Sequence, residues 1–546
     1  MVSYDFDEKV QNNFNKSFSD IERINWKHWL EIDSREEYEE LSLKLSELSS
    51  IEDLFNRIKS ETTDSRSFSI DIDDFLNSDK ASDALIFCHT SGTTNSKLSE
   101  LKWFHMAKDI VKRQWAPGMQ AIFESSGLDL NSSAIIFVPS RLKFDGIQKQ
   151  GDKKYISLYS SEFSQRIMLS VIKPKAYLFY EYKNSRNLDI ISKILTMDNI
   201  SVISAPAITI LGWADITRLQ DGIKRSLYLI NKTQNPKLED FLLKIEKNGL
   251  DSVSYEIQKE LSEKISKATL VFSISSLSKS DWELIRKFMK WEEGKEKFTN
   301  LYVASEIGPF AASINMGDFE ISRLNRMHIF PLTLPVIDYK GKKELISRTK
   351  NKFGRLYVSR LNNSGVLINI DLGDVISIKN QEGLPQIDGK ILRSSFQLKY
   401  PINLSKEIGL QLNYKVYAGD YFTFPNFEIL NPRILLNCLK DKCVLDIDSL
   451  LLLIYKESVN NSLKLFLYSN DRKNCSNLKN YSKILLNCIR NEKFKEAILN
   501  NEIEIELIKN NPIDFLATRS EMLQKVRSGK NPKGVLKKWP LYVLEA

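Results

Sequence analysis

Four segments of this 546-residue chain carry side chains suited to gripping a nucleoside triphosphate, and their order along the chain is a sensible one. In the first, the apolar run 84–88 empties through His89 into Thr90-Ser91-Gly92-Thr93-Thr94. Backbone N–H groups and small hydroxyls in such a loop turn toward phosphoryl oxygens, and Gly92 removes the Cβ that would hold the main chain away. A Ser/Thr-rich surface turn has the same composition, so the loop gains meaning from the three segments downstream of it. The second segment, Tyr302-Val303-Ala304-Ser305-Glu306, sets an aromatic ring four positions before a carboxylate. An aromatic face holds a purine by stacking, and a hard cation bridging phosphates prefers carboxylate oxygen. In the third, Asp371-Leu372-Gly373-Asp374, a strand-like run closes on a carboxylate beside a glycine. Such a carboxylate can accept two hydrogen bonds from a vicinal diol. The fourth, Arg527-Ser528-Gly529-Lys530, is a basic loop able to swing onto phosphates, with Lys537 as an alternative cation.

In this order the motifs resemble those of the adenylate-forming superfamily of acyl-CoA synthetases, luciferases and peptide-synthetase adenylation domains. Within it the chain is most similar to the phenylacetate-CoA ligase and coenzyme F390 synthetase branch. The resemblance runs from about residue 81 to the end and implies roles. Thr90, Ser91, Gly92, Thr93 and Thr94 would wrap the triphosphate of ATP, Tyr302 would stack on adenine, Ser305 would contact phosphate and Glu306 would contact Mg²⁺. Ser275 and Ser276 would lie in the small-residue adenine loop, and Asp374 would hold the ribose hydroxyls. Lys390 would stand at the interdomain hinge, where the family has Gly-Arg, and Lys530 would be the catalytic lysine that stabilises charge on the carboxylate and α-phosphate.

The pattern also departs from the family. Asn95, Ser96, Lys97 and Leu98 replace glycine, proline and lysine after the loop, although Lys97 could still reach a phosphate. Val303 and Leu372 stand where glycine and threonine are expected. Ile391, Leu392 and Arg393 replace the acidic residues after the hinge, which puts rotation there in question. The implied activity is ATP- and Mg²⁺-dependent activation of a small carboxylic acid as an acyl-adenylate, followed by transfer to a thiol, coenzyme A. Two alternatives stay open. One is a different acceptor, such as an amine, a carrier protein or a deazaflavin hydroxyl. The other is a noncatalytic relative that binds nucleotide without turnover.

Composition narrows the field less. The net charge of +8 is a small excess of 78 basic over 70 acidic residues and does not require nucleic acid. The six basic residues between Lys525 and Lys538 also permit a solvated tail or an RNA-binding patch. A Walker-type loop is excluded, since no Gly-Lys pair is followed by Ser or Thr. Five cysteines without metal spacing predict free thiols, and the four scattered histidines show no metal spacing either, His89 reading as a structural residue that borders the acyl pocket at most. The polar first twenty residues and the short apolar runs predict a soluble cytoplasmic protein, its oligomeric state open.

The elements that must position these residues read as an α/β fold. A large N-terminal domain of mostly parallel sheets flanked by helices is expected over 81–388, and a smaller α+β lid domain over 389–546. Residues 1–80 form a helical leader, with helical spacing over 36–58. Apolar runs at 134–138, 176–180, 200–203 and 269–274 alternate with helical stretches, which argues for parallel strands. A helix over 99–114 is expected after the phosphate loop, its dipole near the anion. Toward the C-terminus, strands at Leu450–Tyr455, Leu463–Tyr468 and Ile503–Ile508 bracket one amphipathic helix over 481–499.

Overall fold

The computed structural model describes residues 55–56, 59–60, 75–77, 85–89, 102–107, 110–142, 145–230, 235–272 and 279–313, and beyond 326 a series of strands and helices with short flanking pieces. Its centre is a five-stranded, wholly parallel sheet in the order Ala176–Glu181, Ser133–Val138, Ile200–Ser204, Thr269–Val271, Phe298–Thr299. Strand alternation divides its side chains between two cores. Ala134, Ile136, Val138 and Val202 pack toward helices Ala116–Ser125 and Ser160–Ile172. Ile135, Phe137 and Ile203 pack toward helices Leu188–Thr196, Ile216–Leu227 and Leu250–Ile265. Over the central strands Ser133–Val138 and Ile200–Ser204 both faces are therefore largely dry, which is why these strands read as continuous apolar runs, while the edge strand Ala176–Glu181 is partly exposed.

A four-stranded sheet lies beside this layer in the order Trp103–His105, Leu85–His89, Lys153–Tyr159, Gly146–Gln150. Here the expected helix over 99–114 gives way: Trp103–His105 is a strand, antiparallel to Leu85–His89. Three consecutive aromatic rings fit a pleated surface better than a helix, and pairing His89 with Trp103 satisfies the backbone. Among the described residues helical structure follows from Ile110 and runs through the π-turn Val111–Trp115.

The second half of the large region corrects the expectation of mostly parallel sheets. Eight strands from Leu301–Ala304 to Leu384–Asp388, with Leu392–Arg393 alongside, form one nine-stranded antiparallel sheet. Two-residue links such as Lys340-Gly341 between Thr333–Tyr339 and Lys342–Leu345 leave no room for a parallel crossover.

In the C-terminal region the three expected strands appear at the expected residues. They join a six-stranded sheet in the order Phe396–Gln397, Lys415–Ala418, Leu541–Glu545, Leu450–Tyr455, Leu463–Tyr468, Ile503–Ile508. Leu541–Glu545 is antiparallel to one neighbour and parallel to the other. The single helix expected over 481–499 is two helices, Leu478–Cys488 and Glu492–Leu499. Asn491 divides them, because its side-chain oxygen accepts the Phe494 N–H at 3.0 Å and caps the second. The expectation of free thiols also fails: Cys438, in helix Pro432–Cys443, and Cys488 form a disulfide with S–S 2.03 Å. Fifty residues separate them in sequence, and only the packing of two helices brings them together. Among the described residues no helix is long and apolar enough to cross a membrane. The leader helix over 36–58 lies outside the described residues except for helical 55–56.

Candidate functional site

The strand Gly365–Gln381 carries Asp374, whose carboxyl meets the side chain of Tyr302 on the hairpin of Leu301–Ala304 and Gly308–Ala312. Gly373 adopts φ +68°, and a Cβ there would lie 2.7 Å from Arg393 Cζ. The glycine thus lets the Arg393 guanidinium lie across the turn. Arg393, paired in register with Asp374, donates to Asp374 Oδ1 at 3.3 Å and also to the Leu372 carbonyl. The Tyr302 hydroxyl donates to the other oxygen, Oδ2, at 2.5 Å. A β-bulge between Tyr302 and Val303 shifts the register at this point. Burial pushes the Asp374 carboxyl above the usual aspartate range, against the opposing pull of Arg393 and Tyr302. Burial, and then the charge of Asp374, push the Tyr302 phenol well above its ordinary value. The neighbouring Asp371 does a different job. Arg355 grips it with two bonds of 3.0 and 2.6 Å, and it accepts the Gly373 N–H.

The hairpin turn carries Ser305 and Glu306 and ends at Gly308, whose φ is +81° and whose absent Cβ would sit 3.0 Å from Trp115 Nε1. Ser305 donates to Ser160 Oγ at 2.8 Å, tying the turn to the start of helix Ser160–Ile172. That helix has no side-chain cap at its N-terminus, so its first-turn N–H groups face outward from Tyr159. Lys102 stands 3.4 Å from Glu306 Oε1. Among the described residues no three His, Cys, Asp or Glu side chains gather as a metal cluster. One carboxylate such as Glu306 can serve as the protein's share of a Mg²⁺ whose other ligands are phosphate oxygens and water.

These groups converge. Tyr302, Ser305, Glu306 and Asp374 line one cavity of about 330 Å³, together with Tyr159, Ser160, Ser161 and Arg393. Four of the residues singled out in the sequence therefore share a wall, although 72 positions separate Tyr302 from Asp374. The others, Thr90 to Thr94, Ser275, Ser276, Lys390 and Lys530, with Lys97 and Lys537, lie outside the described residues. The described residues on either side of the first loop are His89, which ends its strand, and Lys102, which precedes the strand Trp103–His105. Several contributors escape a reading of the sequence. Ser160 and Tyr159 carry no motif, Arg393 stands out only as a departure from the hinge pattern, and Lys102 lies beyond the position where a lysine is expected. An uncapped helix start at Ser160-Ser161-Glu162 is the one local signal available.

Behind the wall sits a dry polar scaffold. His89 Nε2 and Asp145 Oδ1 lie 2.7 Å apart with both side chains fully buried. Ser157 Oγ and the Leu142 N–H also donate to Asp145. The His89 ring packs between Trp103 and Tyr159, consistent with the structural reading of this histidine. The buried Glu162 accepts from Arg141 and from Arg166 at 2.5 and 2.9 Å, fixing the first turn of the helix that borders the cavity.

No protein-family profile and no curated protein sequence matches the chain. Its trace is similar to those of several solved structures. One is a 2-hydroxyisobutyryl-CoA ligase in an open conformation with 2-HIB-AMP and CoA, at 12% identity over 93% of this chain and 89% of that one, TM-score 0.48. Another is the GH3.15 acyl acid amido synthetase, at 12% identity over 98% and 96%, TM-score 0.47. A third is ATP-bound MatB from Rhodopseudomonas palustris, at 10% identity over 81% and 68%, TM-score 0.42. Identities this low leave substrate and reaction to be argued from the residues themselves.

Proposed function

We propose that this chain is an adenylate-forming ligase: it activates a carboxylic acid with ATP and passes the acyl group to a thiol, coenzyme A. The observation that carries the reading is the shared cavity of Tyr302, Ser305, Glu306 and Asp374, residues that motif order alone singles out. In the proposed arrangement the nucleoside lies against Tyr302, with Asp374 accepting from the ribose diol. Arg393 and the Tyr302 hydroxyl keep the Asp374 carboxylate oriented. Ser305, Ser160 and the open helix start face the phosphates, a favourable end for anions.

The acid's carboxylate oxygen attacks the α-phosphorus, the bond to pyrophosphate breaks, and the acyl-adenylate forms. The thiol sulfur then takes the acyl carbon, and AMP leaves. Mg²⁺, held in part by Glu306, would neutralise charge on the phosphates. The protein's own contribution is positioning and fixed charge: Lys102 beside Glu306, and Lys530 brought in by a lid of residues 389–546 over a core of residues 81–388.

ATP–pyrophosphate exchange against aromatic, short-chain and long-chain acids tests this reading. Exchange with one acid class, lost in Glu306→Ala and Lys530→Ala, is the expected result. ATP binding without exchange for any acid would overturn it in favour of a noncatalytic nucleotide-binding relative. Mass spectrometry of the product with coenzyme A or amines present decides the acceptor.

A further inference from the structure

A second, larger cavity of about 830 Å³ lies between the antiparallel sheet and the C-terminal region. Phe353, Tyr357 and Val375 face it from the sheet, and Tyr421, Phe424 and Phe427 from the opposite side. An adjoining chamber of about 310 Å³ is apolar, walled by Ile429, Ile434, Leu435, Ile489 and Phe494. Phe353, Glu428 and Asn491 line both and so form the doorway between them.

The charge at that doorway is one-sided. Arg355, the cation on the sheet side, is already held by both oxygens of Asp371. Glu492 and Lys493 are exposed on the rim and offset each other through water. The Asn491 side-chain oxygen is taken by the Phe494 N–H. Half-buried Glu428 remains, with no ion-pair partner among the described residues, and Asp338 adds the same sign. A carboxylate at the mouth of an apolar chamber selects a cation with an apolar body.

We propose that this double cavity binds a small primary amine with an aromatic or branched alkyl body, its ammonium group on Glu428 and its body in the apolar chamber. The site is distinct from the first. Val375 and Ser394 face the amine cavity, whereas their chain neighbours Asp374 and Arg393 line the other one, as strand alternation requires. The occupant touches both the sheet and the C-terminal region on the reverse side of the strands that carry Asp374. This inference stands whether or not the first cavity performs adenylation.

The test is calorimetric titration of the full chain with 2-phenylethylammonium chloride, sodium 3-phenylpropionate and 2-phenylethanol, which present one ring with cationic, anionic and neutral heads. The amine should bind at least about tenfold tighter than the acid. Glu428→Gln should erase that preference, Leu435→Trp should weaken all three ligands by filling the chamber, and Asp374→Asn should leave amine binding unchanged. Equal affinities for amine and acid, no binding of the amine, or a preference that survives Glu428→Gln overturns the proposal. Loss of amine binding in Asp374→Asn would place the amine in the first cavity and overturn it equally. Should Leu435→Trp fail to fold, Glu428→Gln, a near-isosteric change at a half-buried position, keeps the result decisive.

Discussion

Arg393 sits directly across the sheet from Asp374 and bonds Oδ1, while Tyr302, from a strand 72 positions earlier, bonds Oδ2. A carboxylate held at both oxygens cannot swing, so in the proposed arrangement a ribose diol would meet it in a fixed orientation. Tyr302→Phe keeps the ring and removes one of these bonds. A hydrogen bond to a charged group is worth about 1.5–3 kcal/mol, so ATP affinity should fall about tenfold or more. Calorimetric titration checks this, and unchanged affinity would show that the Tyr302 bond does not orient Asp374 for the nucleotide.

The burial of Asp374 makes a prediction about acidity. Its pKa is raised in the folded protein, so between the ordinary aspartate value and that higher value the folded state binds more protons than the unfolded chain. Stability from this group is then greatest below the unfolded pKa and is lost as pH rises through the folded pKa. Asp374→Asn removes the titration. In urea unfolding across that window, the stability difference should move in favour of the variant as pH rises, even as the variant loses nucleotide binding.

Two glycines with positive φ should respond differently to alanine. Gly308 faces the buried ring of Trp115, which cannot yield, so Gly308→Ala should lower stability by the about 1–2 kcal/mol of left-handed strain plus a packing cost. Gly373 faces the flexible tip of Arg393, so Gly373→Ala should cost less stability but displace the guanidinium and weaken ATP binding. Thermal unfolding alongside nucleotide titration separates the two.

Lys102 and Glu306 form a part-exposed pair whose loss should change stability by no more than about 1 kcal/mol. Lys102→Ala should nonetheless slow ATP–pyrophosphate exchange at least about tenfold, because it removes a cation beside the proposed phosphate site. An exchange rate within twofold of the parent, roughly a few tenths of a kcal/mol, would assign Lys102 to the surface.

The disulfide closes a loop of about 50 residues, and the chain-entropy account gives about 4 kcal/mol for a loop of that size. Dithiothreitol or Cys438→Ser should therefore lower the unfolding midpoint of the C-terminal region. Cys88 should stay silent toward thiol reagents in the folded protein, since burial pushes its thiol well above the ordinary value.

What can be read from residues alone divides along physical lines. The strands of the parallel sheet are legible because their side chains are mostly apolar and the central ones are buried on both faces. Tyr302, Ser305, Glu306 and Asp374 are singled out by motif order even where single residues drift, and the fold brings these four to one cavity. Arg393 and Ser160 are not legible, because each acquires its place from a partner 19 or 145 positions away, through sheet register in one case and a helix start in the other. The strand Trp103–His105 reads as helix in isolation because its partner, not its own sequence, decides its state. The Cys438–Cys488 pairing has no spacing signature, since helix packing alone makes it.

The strand Leu541–Glu545 lies between Lys415–Ala418 and Leu450–Tyr455, so the six-stranded sheet is two unjoined halves without it. As a nascent chain leaves the ribosome, the Leu450–Tyr455 edge must wait for almost ninety further residues before its neighbour emerges. An unpaired, leucine-rich edge held open for that interval is an invitation to intermolecular pairing. Translational stalling ahead of residue 541 should thus yield chains that recruit chaperones or aggregate, however well the parallel sheet upstream has already formed.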